Sequence, residues 1–315
     1  MVDLRVKLAG LDLANPIMHG SGTFSTEVGQ IIDINRLGAM VAKTVSRNFR
    51  SGNPPPRVAE VEGGMINSIG LPTKGLGYFL ETQLGEYRHF SPPLICSISA
   101  ETAEDFADMA SDVSVPGVHA IELNISCPTR KPGGGNFALN EDHTHKVVAM
   151  CRARTEKPII AKLSPNAGDV VGVAEAAEAG GANALTVANT LLGLKIDVNR
   201  RRPAIGQKLG GLSGPGIKPI IMRMVYQCSK AVKIPVIGVG GITKVEDVVE
   251  YMLAGATAVQ VGYATFRNPT VVIALIEGLE RWCQQNGVAR VADLTGAMID
   301  EAPLDTYVAA SAAIA

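Results

Sequence analysis

The chain has 315 residues, 46% hydrophobic and 19% charged, with a formal net charge of −1. That is enough apolar material for one large core or two ordinary ones, and with no basic run longer than Arg200-Arg201-Arg202 a nucleic-acid partner has no electrostatic footing. The 5 cysteines form no CxxC pair and no Cys/His cluster, which argues against structural zinc or a chain-borne iron–sulfur cluster. Their odd number and the lack of a leader pattern point to a reducing cytoplasm, and no apolar run approaches the roughly 20 residues of a membrane span.

Residues 2–14 alternate around Ala9-Gly10 and read as a short N-terminal β-hairpin. A series of apolar, β-type runs follows, each closing on small or polar residues: 15–22, 39–44, 93–99, 119–127, 158–164, 184–190, 235–241 and 258–263. Between them lie helix-period segments, among them 102–113, 141–155, 169–179, 217–232 and 244–253, with glycines at helix ends such as Gly180-Gly181 and Gly255. Eight strands alternating with helices predict a parallel sheet closed into a (β/α)8 barrel, with residues 1–315 as one domain. The alternative is an open doubly wound sheet, which would normally show GxGxxG after its first strand; Gly20-Ser-Gly22-Thr-Phe-Ser25 does not fit it. Longer insertions, roughly 45–90, 129–140 and 191–215, each begin at a strand's C-terminal end, so all should crowd the face where such barrels carry their chemistry.

The strand ends carry Ser21, Lys43, Asn124 with Cys127, Lys162, Asn189 with Thr190, Gly240-Gly241 and Gly262. Lysines inside apolar runs (VAKT, IAKL) are hard to explain as solvated surface; beside two asparagines and a cysteine they favour an anionic or carbonyl-rich ligand over two ion-paired core lysines. A lone cysteine at a strand end is most often structural. Here Cys127 instead joins a strand to the basic, glycine-rich stretch 129–135, which fits a thiol delivered to a site. Gly238-Val-Gly-Gly-Ile242 and Val261-Gly-Tyr263, each before a helix, offer unblocked backbone N–H groups, as phosphate sites after the seventh and eighth barrel strands do; the Ser213-Gly-Pro-Gly216 turn could add donors. Asn67 and the backbone around Ile69–Leu71, in the proline- and glycine-rich 45–90 insertion, could fold over the site and hold a small polar ring.

Together these motifs resemble one family, the class 1 dihydroorotate dehydrogenases, and within it the B-type catalytic subunit. The likeness runs through GSGTF (20–24), AKT (42–44), GNPPPRVAE (52–60), GGMINSIGL (63–71), ELNISCP (122–128), AKLSPN (161–166), ANTLLG (188–193), GGLSGPGIKP (210–219) and GVGGI (238–242). The same flavoprotein branch includes the dihydropyrimidine dehydrogenase catalytic domain. The resemblance implies FMN on the barrel mouth, its phosphate on Gly240, Gly241, Gly262 and Tyr263 with Gly214 and Ser21 nearby. Lys162 would face the pyrimidine end of the flavin, and Lys43, Thr44, Asn124 and Ala188 complete the cofactor's surroundings. Lys43, Asn67, Asn124, Asn189 and Thr190 match positions that hold the substrate ring and its carboxylate, together with the Ser68, Ile69, Gly70 and Leu71 stretch. Cys127 matches the family's base. The implied reaction is oxidation of (S)-dihydroorotate to orotate in pyrimidine biosynthesis. A homodimer core is implied, with a separate FAD/iron–sulfur subunit carrying electrons to NAD.

Two residues depart from the family pattern. Thr129 stands where the family has an asparagine that touches substrate, and His19 where a small or apolar residue is common. Thr129 keeps open a related FMN-dependent enzyme for a dihydrouracil-type ring. A non-catalytic FMN-binding protein is the third reading, against which Cys127 and Lys162 speak, since a mere binder needs neither.

Overall fold

The structure, a computed structural model, describes residues 2–126 and 136–299. Its framework is one sheet of eight parallel strands: β1 (Ile17–His19), β2 (Met40–Val41), β3 (Leu94–Ile98), β4 (Ala120–Leu123), β5 (Ile159–Lys162), β6 (Ala184–Val187), β7 (Val236–Gly238) and β8 (Ala256–Val261). They pair in chain order, β2 to β8, and β8 pairs with β1, so the sheet curls round. At the remaining seam the Gly38 N–H donates to the Ile17 carbonyl at 2.9 Å. A side chain at 38 has no room there, because a Cβ would lie 2.0 Å from the Asn15 carbonyl oxygen. The expected (β/α)8 barrel is the observed architecture.

Buried strands on both faces explain why the runs read as continuously apolar: all five residues of β3 and all four of β4, β5 and β6 are buried. Helices α1 (Ala103–Asp112), α2 (Glu141–Arg152), α3 (Val170–Ala179), α4 (Lys218–Ala231), α5 (Val245–Leu253) and α6 (Val271–Gln285) follow β3 to β8. Helix α1 shows how the sequence makes them. The Thr102 side chain accepts from the Asp105 N–H and caps the start, Glu104 and Asp105 complement the N-terminal dipole, and Ala103, Phe106, Ala107 and Ala110 form one buried stripe. Burying Phe106 alone contributes on the order of 2 kcal/mol. Behind α3 the left-handed residue is Gly181 (φ 95), one past the Gly180 C-cap.

The N-terminal hairpin pairs Val6–Leu8 with Leu11–Leu13 through a turn in which Ala9 (φ 51) and Gly10 (φ 82) are both left-handed, and it sends Leu8 and Leu13 into the barrel's core cluster. The first and third long insertions do more than crowd one face. Val58–Val61 and Gly64–Asn67 from one insertion pair antiparallel with Gly210–Ser213 and Leu191–Gly193 from the other, in a four-stranded sheet above the C-terminal mouth. Of the 129–140 insertion, residues 129–135 lie outside the described residues, and Phe137–Leu139 forms a 3-10 turn into α2. Among the described residues no helix is long and apolar enough to cross a membrane.

Candidate functional site

Between the strand ends and the four-stranded sheet lies a cavity of about 460 Å³. Its wall collects almost every residue expected from the sequence. Ser21 follows β1, and Lys43 and Thr44 follow β2. Asn67, Ser68, Ile69, Gly70 and Leu71 come down from the sheet above, and Asn124 and Lys162 stand at the ends of β4 and β5. Ala188, Asn189 and Thr190 continue from β6, with Gly240, Gly241, Gly262 and Tyr263 after β7 and β8. Gly214 is the exception: it packs behind the wall, where a Cβ would lie 2.5 Å from Gly64 Cα, and its carbonyl abuts Gly241. Cys127 and Thr129 lie outside the described residues, so what the structure gives is the strand that leads to them.

One polar network fixes the amides on that side. Asn124 Nδ2 donates to Thr44 Oγ1 at 3.2 Å, and Thr44 shares a hydrogen bond of 3.0 Å with Ser97. Asn189 Nδ2 donates to Ser126 Oγ at 3.0 Å and reaches Asn124 Oδ1 at 3.4 Å, while its own Oδ1 accepts from the Thr190 N–H at 2.8 Å. Across the cavity Asn67 Nδ2 donates to the Gly211 carbonyl at 3.2 Å. With each amide oriented by a partner, a planar ring bearing N–H and C=O groups would meet preset donors and acceptors rather than free rotors.

The two lysines differ in a way the sequence did not reveal. Lys162 is buried, 6% exposed, and its ammonium donates to Ser21 Oγ at 3.0 Å and Gln260 Oε1 at 3.4 Å, with Glu122 Oε1 at 3.9 Å. Lys43, expected to be buried as well, is exposed as a residue because β2 ends early and its side chain rises into the open mouth. Its ammonium is nevertheless partly shielded from water. That desolvation, helped by the nearby Arg57 guanidinium, holds its pKa below the ordinary lysine value. A cation so placed gains from an anion brought into the cavity.

Beyond β7, the turn through Gly240 and Gly241 is braced from behind. Asp247 Oδ2 accepts from the Thr243 N–H at 2.7 Å and the Lys244 N–H at 3.0 Å, while Lys218 Nζ donates to Asp247 Oδ1 at 2.7 Å. Burial opposes the Asp247 charge, but these donors outweigh it and its pKa is lowered. Tyr251 OH donates to the Gly240 carbonyl at 2.7 Å. Gly241 (φ 70) can be nothing else, since a Cβ would sit 2.8 Å from Lys218 Cβ. After β8, Gly262 opens the short Tyr263–Arg267 helix; the Thr265 N–H donates to the Gly262 carbonyl at 3.0 Å, and the Tyr263 and Ala264 N–H groups have no intrahelical acceptor. Ser213, which also lines the cavity, has a buried hydroxyl with no hydrogen-bond partner among the described residues.

Several side chains here escaped the sequence reading: Glu122, Thr186 and Gln260 within the barrel, and Ser97 and Ser126 at its mouth. The first three had a signal, being polar residues inside apolar strand runs just as Lys43 and Lys162 are. His19 is also buried; it stacks on Phe24 at 4.9 Å between ring centroids, and burial pushes its pKa down to about 4. The cysteines at 96, 151, 228 and 283 are buried, as small apolar residues would be, and burial pushes the Cys151 and Cys228 thiols up to about 12.

A family model described as dihydroorotate dehydrogenase matches residues 3–282. Among curated proteins, the dihydroorotate dehydrogenase B (NAD(+)) catalytic subunit of Trichlorobacter lovleyi is 46% identical over 298 residues, 94% of this chain and 98% of the relative. The protein of the same name from Pelobacter propionicus is 46% identical over 299 residues, with the same coverage. That of Thermoanaerobacter pseudethanolicus is 43% identical over 299 residues, 94% of this chain and 99% of the relative.

Proposed function

The chain belongs to the dihydroorotate dehydrogenase family, and we propose how its barrel mouth carries out that family's reaction, the oxidation of dihydroorotate to orotate in pyrimidine biosynthesis. The family is one of flavoprotein oxidoreductases acting on CH–CH donors. FMN is the flavin we assign, with 1–315 as a single FMN-binding barrel domain. The residues present fit that group. The Ser213 hydroxyl, which has no partner among the described residues, the Gly241 turn with no room for a Cβ, the Tyr263 and Ala264 N–H groups after Gly262 and the buried Lys162 ammonium make a donor set suited to a phosphate at one end and a ring carbonyl edge at the other. Ser21, Thr44, Ala188 and Tyr263 complete the surroundings, with Gly214 behind the wall.

When bound, FMN supplies the acceptor for the hydride that leaves C6 of the substrate. The chain's own residues do the rest. Lys43 takes the substrate carboxylate, and Asn67, Asn124, Asn189 and Thr190, with the Ser68–Leu71 backbone, hold the ring's amide groups. Cys127, four residues past the end of β4, removes the C5 proton. A cysteine serves as base only as its thiolate, which cationic and amide neighbours favour. The observation that carries the reading is the convergence, on one cavity, of three oriented asparagine amides, two lysine ammoniums and the glycine turns after β7 and β8.

The relatives are named as catalytic subunits of NAD-using enzymes. By analogy, electrons leave this chain through a separate FAD/iron–sulfur subunit. Val58 and Phe266, which line the mouth and are 46% and 59% exposed, offer it apolar footing. The exposed Leu192, Leu194, Ile196 and Val198 of the other insertion support a homodimer.

Rapid mixing tests the assignment of the base. Cys127→Ala should retain FMN yet be reduced by dihydroorotate roughly 10²–10⁴-fold more slowly, because only the proton-removal step loses its group. A reduction rate equal to the wild type would take Cys127 out of the mechanism.

A further inference from the structure

One ionisable group near this site has no part in the chemistry above. Glu122 is 0% exposed, at an inward position of β4 one layer below the cavity, whose wall it does not join. Its Oε2 accepts from Gln260 Nε2 at 2.9 Å and Thr186 Oγ1 at 3.2 Å. Its Oε1 has no hydrogen-bond partner among the described residues and faces Lys162 Nζ at 3.9 Å. The arrangement is directional. Gln260 gives its N–H to Glu122 and turns its carbonyl to Lys162, so one amide ties the anion and the cation to each other's place. A proton on Oε1 would point at an ammonium, so the geometry calls for the carboxylate. Burial of such a charge is tolerated only where donors and an opposite charge surround it, and here three strands supply them.

We propose that Glu122 is a positioning residue for Lys162, a fixed negative charge that aims the ammonium into the cavity and offsets part of its field there, and so sets the reduction potential of the flavin. The inference rests on the flavin reading above. A ring that gains negative charge on reduction is favoured by Lys162 and disfavoured by Glu122 behind it. A purely structural buried ion pair would affect folding but would not move the potential in a particular direction.

The test is an equilibrium titration of the FMN-loaded protein against a reference dye, independent of turnover. Glu122→Gln keeps the shape and removes the charge. At a fixed potential its ratio of reduced to oxidised flavin should rise about tenfold, or about 30 mV for a two-electron couple. Glu122→Asp should stay within about threefold of the wild type. Thr186→Val, which strips one donor from Oε2 and leaves the carboxylate more negative toward Lys162, should move the ratio the other way by about threefold, and it decides the matter if Glu122→Gln does not fold. A Glu122→Gln protein that binds FMN with an unchanged or lowered ratio overturns the proposal, as does an unchanged or raised ratio for Thr186→Val. A wild-type protein that takes up no FMN is a different failure, which removes the flavin reading itself.

Discussion

His19 shows how one side chain couples sequence to stability. It is 1% exposed and presents a buried Nδ1 with no hydrogen-bond partner among the described residues. Burial lowers its pKa from 6.5 to about 4, so between those values the unfolded chain binds a proton that the native one does not. Stability from this residue is therefore complete above pH 6.5 and is lost as pH falls toward 4, by roughly 3 kcal/mol in all. Denaturant titrations of the wild type and His19→Leu should show the wild type losing about that much relative to the variant between pH 7 and pH 4. A constant difference across that range would mean His19 is solvated. The lysines mark what single residues disclose. Charge inside an apolar run correctly drew attention to Lys43 and Lys162, but only Lys162 is buried, because how far a strand continues past its last pairing is decided in three dimensions. The same rule applied to acidic and amide residues would have found Glu122 and Gln260.

At the scale of elements, the eight strands and the helices after β3 to β8 were legible, since burial on both faces of a parallel strand leaves an unbroken apolar run and each helix keeps its caps and apolar stripe. Strand-end insertions also announced the active face. The joining of two insertions, about 120 residues apart, into a single antiparallel sheet above the mouth was not legible: their strands are three or four residues long and half exposed, too short for a period to show. The turn after β7 is the element on which flavin binding should depend most. Gly241→Ala forces a left-handed alanine and a 2.8 Å contact with Lys218 Cβ, a strain on the order of 1–3 kcal/mol. Equilibrium dialysis should find FMN held at least tenfold more weakly, with the barrel still folded by circular dichroism. Undiminished affinity would place the phosphate elsewhere.

At the scale of the molecule, a barrel supplies the rigid ring of strand ends and two insertions roof it, so that positioning comes from strands and closure from the additions. Which dihydropyrimidine the chain oxidises, and where its electrons go, are properties of this whole arrangement. On the sequence reading, Thr129 takes the place of an amide-bearing residue, which makes substrate choice the sharpest question. The most direct measurement is to mix the purified yellow protein anaerobically with dihydroorotate and, separately, with dihydrouracil, then to add NAD. Dihydroorotate should bleach the flavin within the mixing experiment, dihydrouracil should leave it yellow, and NAD should not restore the colour in the absence of a second subunit. Bleaching by dihydrouracil alone, or by neither, would contradict dihydroorotate oxidation by this chain.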